Sequence, residues 1–155
     1  MSLPLTVSLP DEAATCRLGR ALAARARPGD VIALRGGLGA GKTTLARAFV
    51  RALTGPDEEV PSPTFTLVQV YDTAAGRVWH FDLYRLDAPD DAVELDIDDA
   101  FADGISLIEW PDRLGGLLPA ARLDLTLAEG GPDGARRALL TPSPAWADRL
   151  GDLIS

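Results

Sequence analysis

The chain has 155 residues, of which 46% are hydrophobic, so it is long enough for one core and too apolar for a disordered protein. Its formal net charge is −8, which argues against a protein that holds nucleic acid through the phosphates by itself. No apolar run approaches a membrane span, and we expect a single domain over residues 1–155 without a signal peptide. The one cysteine, Cys16, excludes an internal disulfide and fits a reducing cytoplasm.

The first predicted elements are a strand, a helix and a second strand. Residues 5–9 form the first strand, and a helix of about fifteen residues begins at residues 10–12, where acids suit the first helical turn. Residues 28–30, Pro-Gly-Asp, end this helix. The apolar run over residues 31–35 is typical of a buried strand.

A phosphate loop follows this strand. Residues 36–44 read Gly-Gly-Leu-Gly-Ala-Gly-Lys-Thr-Thr and match the pattern G-x-x-x-x-G-K-[ST]. Its glycines let backbone N–H groups point into one concavity, and the helix that starts there adds the positive end of its dipole. Lys42 would reach the β- and γ-phosphates, and the Thr43 hydroxyl would hold Mg²⁺. The residues expected to contact the nucleotide are Gly37, Leu38, Gly39, Ala40, Gly41, Lys42, Thr43 and Thr44.

The lysine of this loop is unusual in the chain, because Lys42 is the only lysine among fifteen basic side chains. Lysine is a compact ammonium that fits inside a ring of amides, whereas arginine is a planar fork. A chance glycine-rich turn before a helix is the alternative interpretation. The lysine and the strand–loop–helix context both favour a nucleotide-binding loop.

A hairpin is predicted after the phosphate-loop helix, which ends near residue 54. Prolines hold residues 61–64 extended. Residues 65–71 are rich in β-branched and aromatic side chains, residues 72–76 form a turn, and residues 78–82 form a second strand. We therefore expect an antiparallel hairpin between residues 65 and 83.

The C-terminal half adds an acidic stretch and further strands. Residues 87–103 carry eight acids and no basic residue, which is typical of a solvated face, with a partner surface as the alternative. Strands are predicted over residues 105–110, 123–127 and 138–141, and a closing helix over residues 144–154. The predicted fold is α/β: a P-loop NTPase-like mixed sheet with helices on both faces, containing an antiparallel hairpin.

Two acids, Asp82 and Glu109, follow apolar strands and are expected at the carboxyl edge of the sheet, where α/β proteins bind ligands. Hydrolysis needs Mg²⁺ and an oriented water as well as the phosphate loop, so at least one of them should serve the site. Either could instead be a strand-end acid that faces water or caps a turn. Thr64, in the proline-restrained loop, is typical of a switch loop that senses the γ-phosphate, with an ordinary strand-start residue as the alternative.

Two further side chains near these acids have open roles. His80 is the only histidine, and packing with a structural hydrogen bond is favoured over general-base work. Trp110 either covers the nucleotide or packs in the core.

Four segments together resemble the TsaE family, whose members are bacterial ATPases of tRNA threonylcarbamoyladenosine biosynthesis. They are residues 38–44, 62–67, 80–85 and 107–111. The first is shared by many ATPases, whereas the other three in this order are specific to the family. The resemblance extends over nearly the whole chain.

The resemblance implies a role for each matching residue. Thr43 and Glu109 would hold Mg²⁺, Thr64 would lie near the γ-phosphate, and Asp82 would belong to a second switch-like segment needed for hydrolysis. The predicted catalytic residues are Lys42, Thr64 and Asp82. Glu12 would lie beside the adenine. One basic residue before the last strand, Arg136 or Arg137, would approach the nucleotide, with solvated strand-end arginines as the alternative.

The resemblance also implies the biological setting. Family members bind a partner pair, TsaB and TsaD, which transfers threonylcarbamoyl to the adenosine next to the anticodon, and hydrolysis of ATP to ADP supports turnover of that complex. Contact with tRNA would then be indirect, in line with the negative charge. The family often has an acid just before Leu38, and this chain has Gly37 there, which leaves the phosphate cradle intact but removes a charge at its mouth.

Two other functions remain open from the sequence. One is a small-molecule kinase, and the other is a nucleotide-gated binding module that scarcely hydrolyses ATP. A GTPase is excluded because the chain has no asparagine and no second lysine for the guanine-reading motif. Hydrolysis should be slow without partners, since Arg85 is the best internal candidate for a transition-state arginine and a partner could supply one instead.

Overall fold

The structure is a computed structural model that describes residues 4–37, 41–63, 65–129 and 135–150. The strands are β1 (Leu5–Leu9), β2 (Val31–Arg35), β3 (Val68–Thr73), β4 (Gly76–Asp82), β5 (Ile105–Glu109), β6 (Leu123–Glu129) and β7 (Arg136–Pro142). The helices are α1 (Glu12–Arg25), α2 (Lys42–Leu53), α3 (Ile97–Asp103) and α4 (Pro144–Ala147). Two 3₁₀ segments span Pro89–Leu95 and Pro111–Leu117.

The strands form one sheet in the order β1-β7-β6-β2-β5-β4-β3. Its centre is parallel, because β2 pairs in parallel with both β5 and β6, and β4 pairs in parallel with β5. Antiparallel pairs complete both sides: β1 with β7, β6 with β7, and β3 with β4. The predicted mixed sheet and its antiparallel hairpin are confirmed, and the carboxyl ends of β2, β4 and β5 lie at one edge.

Helices cover both faces of this sheet, as predicted. On one face, α1 and α2 pack through side chains such as Leu22 and Phe49 against Leu34 and Leu107 of the central strands. On the other face, α3 and the 3₁₀ segments pack against Phe81 and Ile108, among others. Successive side chains of a strand point to opposite faces, so the buried, mainly apolar strands β2 and β5 supply both layers.

Two features fix α1 beside α2. Asp11 caps α1, since its Oδ1 accepts a hydrogen bond from the Ala14 N–H at 2.8 Å. Gly19 lets the helices approach closely, because a Cβ at this position would lie 2.7 Å from the carbonyl oxygen of Leu45. The N-terminal turn of α1 is thereby held alongside the first turns of α2.

The predicted strand over residues 65–71 is wrong at its start, because β3 begins at Val68. The Leu67 N–H donates to the Pro63 carbonyl at 2.7 Å, and Leu67 has a φ of 69°, so the chain turns here instead of running extended. Phe65 is 82% exposed as a result. The Asp82 N–H donates to the Leu67 carbonyl at 2.9 Å, which ties this turn to the end of β4.

Two other boundaries also differ from the prediction. The strand predicted to reach residue 110 ends at Glu109, because Trp110 has a φ of 60° and leaves the extended conformation. The closing helix is described as α4, over Pro144–Ala147, and residues 151–155 lie outside the described residues.

Candidate functional site

The phosphate-loop helix begins where the sequence pattern places it. Gly41 precedes α2 with a φ of 100°, a left-handed conformation that favours glycine. Lys42 is the first residue of α2, only 5% exposed, and its Nζ donates to the Gly36 carbonyl at 2.8 Å. Three residues of the predicted cradle, Leu38, Gly39 and Ala40, lie outside the described residues, as does Thr64.

The Lys42 ammonium lies among an aromatic ring and two acids. Its Nζ is 3.6 Å from the centroid of the Trp110 ring, a cation–π contact. Burial lowers the pKa of Lys42, and the nearby carboxylates of Glu109 and Asp82 act in the opposite direction. The half-buried Trp110 ring also packs against the core layer around Phe81, so it lies between that layer and the lysine of the phosphate loop.

Glu109 connects the helix to the sheet. The Thr43 hydroxyl lies 3.3 Å from Glu109 Oε1 and 3.2 Å from Oε2. On the other side, His80 Nε2 lies 2.6 Å from Oε2. His80 is fully buried and Glu109 is 3% exposed, so this carboxylate is held inside the protein by partners from α2 and β4. The favoured interpretation of His80, packing with a hydrogen bond, agrees with this contact.

Asp82 lies beside Glu109 at the carboxyl edge of the sheet. The two residues are register partners at the ends of the parallel strands β4 and β5. Asp82 is 6% exposed, and its Oδ1 accepts the Tyr84 N–H at 3.1 Å. Both acids are buried, so neither faces water, and the bond from the Tyr84 N–H to Asp82 agrees with the alternative of an acid that caps a turn. The structure brings Lys42, Thr43, Asp82 and Glu109 to one place.

A pocket of about 420 Å³ lies between α1 and α2, next to this cluster. Glu12 and Cys16 line it from α1, and Thr44 and Arg47 line it from α2. Ligand pockets usually have volumes of a few hundred Å³, so this one has room for a nucleoside. The pocket joins Glu12, predicted to lie beside the adenine, to Thr44 at the phosphate-loop helix.

Comparison with known proteins matches these features to one family. The family model described as threonylcarbamoyl adenosine biosynthesis protein TsaE matches residues 9–138. A relative from Haemophilus influenzae, named tRNA threonylcarbamoyladenosine biosynthesis protein TsaE, is 41% identical over 123 residues, 76% of this chain and 77% of the relative. The relative of that name from Bacillus subtilis is 38% identical over 125 residues, 80% of this chain and 76% of the relative. The chain belongs to the TsaE family.

A solved structure agrees with this membership. The crystal structure of Bacillus subtilis YdiB superposes with a TM-score of 0.81 at 28% identity, covering 99% of this chain and 95% of that one. The fold of a TsaE-family P-loop protein is thus present over nearly the full chain. None of the helices in the described ranges has the length and apolar character needed to cross a bilayer.

The TsaE-like segments after the phosphate loop also contribute Tyr84, Arg113 and Phe65, to which the sequence analysis gave no role. The Tyr84 ring lies 4.9 Å from the Trp110 ring, and the Arg113 guanidinium lies 5.9 Å from Tyr84. The Arg85 guanidinium lies 4.9 Å from the ring of the exposed Phe65. Their positions inside the three family-specific segments, or just after them, were the available signal.

An arginine just before the phosphate loop, with two acids that bind it, was also missed by the sequence analysis. Arg35, the last residue of β2, donates to Asp124 Oδ1 through Nε at 3.1 Å and Nη2 at 3.0 Å, and also donates to Asp112. Asp124 lies in β6, and Asp112 lies in the 3₁₀ segment that follows Trp110. This arginine therefore ties three parts of the chain together one residue before Gly36.

The structure describes two positions on which the resemblance to TsaE bears: Gly37, and the pair Arg136 and Arg137. Gly37 is exposed, and a Cβ there meets no described atom within 4 Å, so the acid often found in the family would fit. Arg136 and Arg137 pair with Leu9 and Ser8 of β1 in the sheet register. They therefore lie across from the strand that leads into α1 and Glu12, and Arg137 is exposed.

Proposed function

We propose that this chain is an Mg²⁺-dependent ATPase that serves tRNA threonylcarbamoyladenosine biosynthesis as an accessory protein. The observation that carries the proposal is the gathering of Lys42, Thr43, Asp82 and Glu109 at the start of α2. Buried acids beside a buried ammonium cost free energy of folding and are typical of functional sites. The name of the Haemophilus and Bacillus relatives supports the biosynthetic role.

The residues fit a magnesium ion. Mg²⁺ prefers hard oxygen ligands and usually takes only one or two from the protein, with waters and phosphate oxygens completing its shell. The Thr43 hydroxyl and the Glu109 carboxylate are 3.2–3.3 Å apart and supply such oxygens. When bound, the ion would neutralise charge on the β- and γ-phosphates. Thr43 and Glu109 are therefore the proposed ligands.

Lys42 supplies the fixed positive charge. Its ammonium donates to the Gly36 carbonyl and faces the Trp110 ring, both of which are weaker partners than phosphate oxygens. It begins α2, whose first N–H groups lie free for an anion. Lys42 and the other residues of the range 37–44 are proposed to bind the β- and γ-phosphates. Glu12 and the pocket between α1 and α2 are proposed to receive the nucleoside.

Asp82 is proposed to orient the attacking water. It is a buried carboxylate beside Glu109 at the carboxyl edge of the sheet. Thr64 is proposed to contact the γ-phosphate from the loop that precedes Phe65. The Arg85 guanidinium, the internal candidate for a transition-state arginine, lies over the Phe65 ring, so hydrolysis is expected to be slow until a partner binds.

The proposed partners are proteins resembling TsaB and TsaD, with tRNA contacted only through them. The net charge of −8 supports this arrangement, since an acidic chain is repelled by the phosphates of tRNA. A cytoplasmic location is part of the proposal, and the single, half-buried free cysteine agrees with a reducing compartment.

The test is phosphate release from ATP, measured with Mg²⁺ and with EDTA, in the presence and absence of the partner pair. We expect slow Mg²⁺-dependent release alone and faster release with the partners. ATP binding without turnover under all these conditions would indicate a nucleotide-gated binding module. Transfer of phosphate to an added nucleoside or sugar would indicate a kinase. Failure to bind ATP at all would contradict the proposal.

A further inference from the structure

The buried histidine of β4 contacts an acid of the neighbouring strand. His80 and Asp82 are two residues apart in β4 and therefore point to the same side of the sheet, the side on which Glu109 meets Thr43. His80 Nε2 lies 2.6 Å from Glu109 Oε2, and the imidazole has no exposed surface. The contact joins residues 29 positions apart in the chain.

The hydrogen-bond pattern defines which ring nitrogen carries the proton. A carboxylate oxygen only accepts, so Nε2 must be the donor to Glu109. Nδ1 is buried and has no hydrogen-bond partner among residues 4–37, 41–63, 65–129 and 135–150. Nε2 is therefore the nitrogen that binds Glu109, and Nδ1 is the nitrogen left without a partner in these ranges.

From this contact, and resting on the function proposed above, we propose that His80 is a positioning residue for the magnesium ligand Glu109. Its N–H holds Glu109 Oε2 and fixes the carboxylate beside the Thr43 hydroxyl. A free glutamate side chain loses rotamer freedom when it binds a cation, and a prearranged one has less to lose. His80 therefore raises affinity for the cation without touching nucleotide or water.

A general-base role does not fit the same geometry. The ring is fully buried, and its protonated nitrogen is already bound to Glu109. The remaining nitrogen, Nδ1, is enclosed by protein and touches no polar atom of the described ranges. A base must reach the proton that it removes, so the Asp82 carboxylate at the end of the strand is better placed for this role than the His80 ring.

Two substitutions separate the hydrogen bond from the packing of the ring. The side-chain nitrogen of glutamine can take the place of Nε2, whereas that of asparagine reaches only the place of Nδ1. Both His80→Gln and His80→Asn replace the ring with an amide, so they make a matched pair. The measurement is ADP affinity by calorimetry, with EDTA and across a series of Mg²⁺ concentrations, alongside the thermal unfolding of each variant.

We expect His80→Asn to lose about 10- to 100-fold in the Mg²⁺ affinity of the ADP-bound protein, the usual effect of removing a group that orients a metal ligand. ADP affinity in EDTA should stay unchanged, and His80→Gln should recover most of the Mg²⁺ response. Equal responses in the two variants, or an equal loss in EDTA, would overturn the positioning role.

Glu109→Gln separates this proposal from the function on which it rests. If ADP affinity of the unaltered protein does not respond to Mg²⁺, both proposals fail. If it responds, and Glu109→Gln abolishes the response while His80→Asn keeps it, only the positioning role fails.

A measurement on the unaltered protein covers the case in which a variant does not fold. His80 is the only histidine, so ¹⁵N NMR reports a single imidazole. We expect hydrogen on Nε2 both with and without Mg²⁺ and ADP. Hydrogen on Nδ1 with bare Nε2 would overturn the proposal.

Discussion

Acids lie at both ends of β4, and the two groups of acids differ in their exposure and in their partners. At the carboxyl end, Asp82 and Glu109 are 6% and 3% exposed and face Lys42. At the amino end, a surface cavity of about 600 Å³ is lined by acids that are all exposed. These acids are Asp72, Asp96, Asp99 and Asp103. The cation nearest to them, Arg77, is an exposed partner of Asp72 at 3.0 Å.

The difference shows that the number of acids does not mark a site. The stretch of eight acids over residues 87–103 supplies three of the four acids at the exposed end, where water solvates each charge at little cost. Two acids supply the buried end, where each charge needs a partner. Those partners are the Thr43 hydroxyl, the His80 ring and the Lys42 ammonium, and the buried end is the one that we propose to act on a ligand.

The largest effect is expected from Lys42→Ala, which removes the only cation of the buried end described above. Without Lys42, the phosphates would lie beside two buried carboxylates with no cation to compensate their charge. The ATP affinity should fall by about 100-fold or more, because an uncompensated buried charge costs about 3–5 kcal/mol. Arg77→Ala at the exposed end is the matched control and should leave ATP affinity unchanged. Calorimetry measures both. An unaltered affinity in Lys42→Ala would remove the lysine from the proposed site.

The next effect is expected from Asp82→Asn, which should lower the hydrolysis rate about 100-fold while ATP affinity changes less than about threefold. Asparagine keeps an oxygen for the Tyr84 N–H, so the strand end should stay in place. Asp99→Asn is the control at the exposed end and should hydrolyse ATP at the normal rate. Equal loss of binding and hydrolysis in Asp82→Asn would make Asp82 a structural residue.

The parts of this contrast that depend on local sequence were predictable. The spacing of the glycines and Lys42 predicts a phosphate loop, and an acid after an apolar run predicts the end of a strand. The pairing of the strands was not predictable, because it depends on contacts between distant residues. The hydrogen bond from His80 to Glu109 and the position of Trp110 over Lys42 followed only from the order β2-β5-β4.

The error at residues 65–67 has a cause that the composition does not show. Phe65 is aromatic and Thr66 is β-branched, and both residue types are enriched in strands. In the structure the Leu67 N–H bonds back to Pro63, and its carbonyl accepts from Asp82 at the site. The turn is thus held by tertiary contacts that override the local preference.

A change in stability without a change in binding is expected from Gly104→Ala at the exposed end. The added Cβ would lie 2.6 Å from Trp79 Cδ1 and Nε1, in a buried ring, so we expect a loss of about 1–3 kcal/mol in the free energy of unfolding. ATP affinity of the folded protein should not change. Gly37→Ala at the site end, where a Cβ meets open space, should leave stability within about 0.5 kcal/mol. Urea unfolding that ranks the two variants in the opposite order would contradict these packing contacts.

The smallest effects should come from neutralising single acids of α3, and their signs should differ. Asp99 lies in the first turn of α3, where a negative charge is favourable, whereas Asp103 is its last residue, where a negative charge opposes the helix dipole. Asp99→Asn should therefore lose about 0.3–0.5 kcal/mol of stability, and Asp103→Asn should gain a similar amount. Both changes should shrink in high salt, since the two side chains are exposed and their charges are screened. Normal ATP hydrolysis together with normal co-purification with the partner pair would establish a solvated face. Loss of co-purification alone would instead make these acids the partner surface, because exposed charges that contribute almost nothing to stability can still direct association.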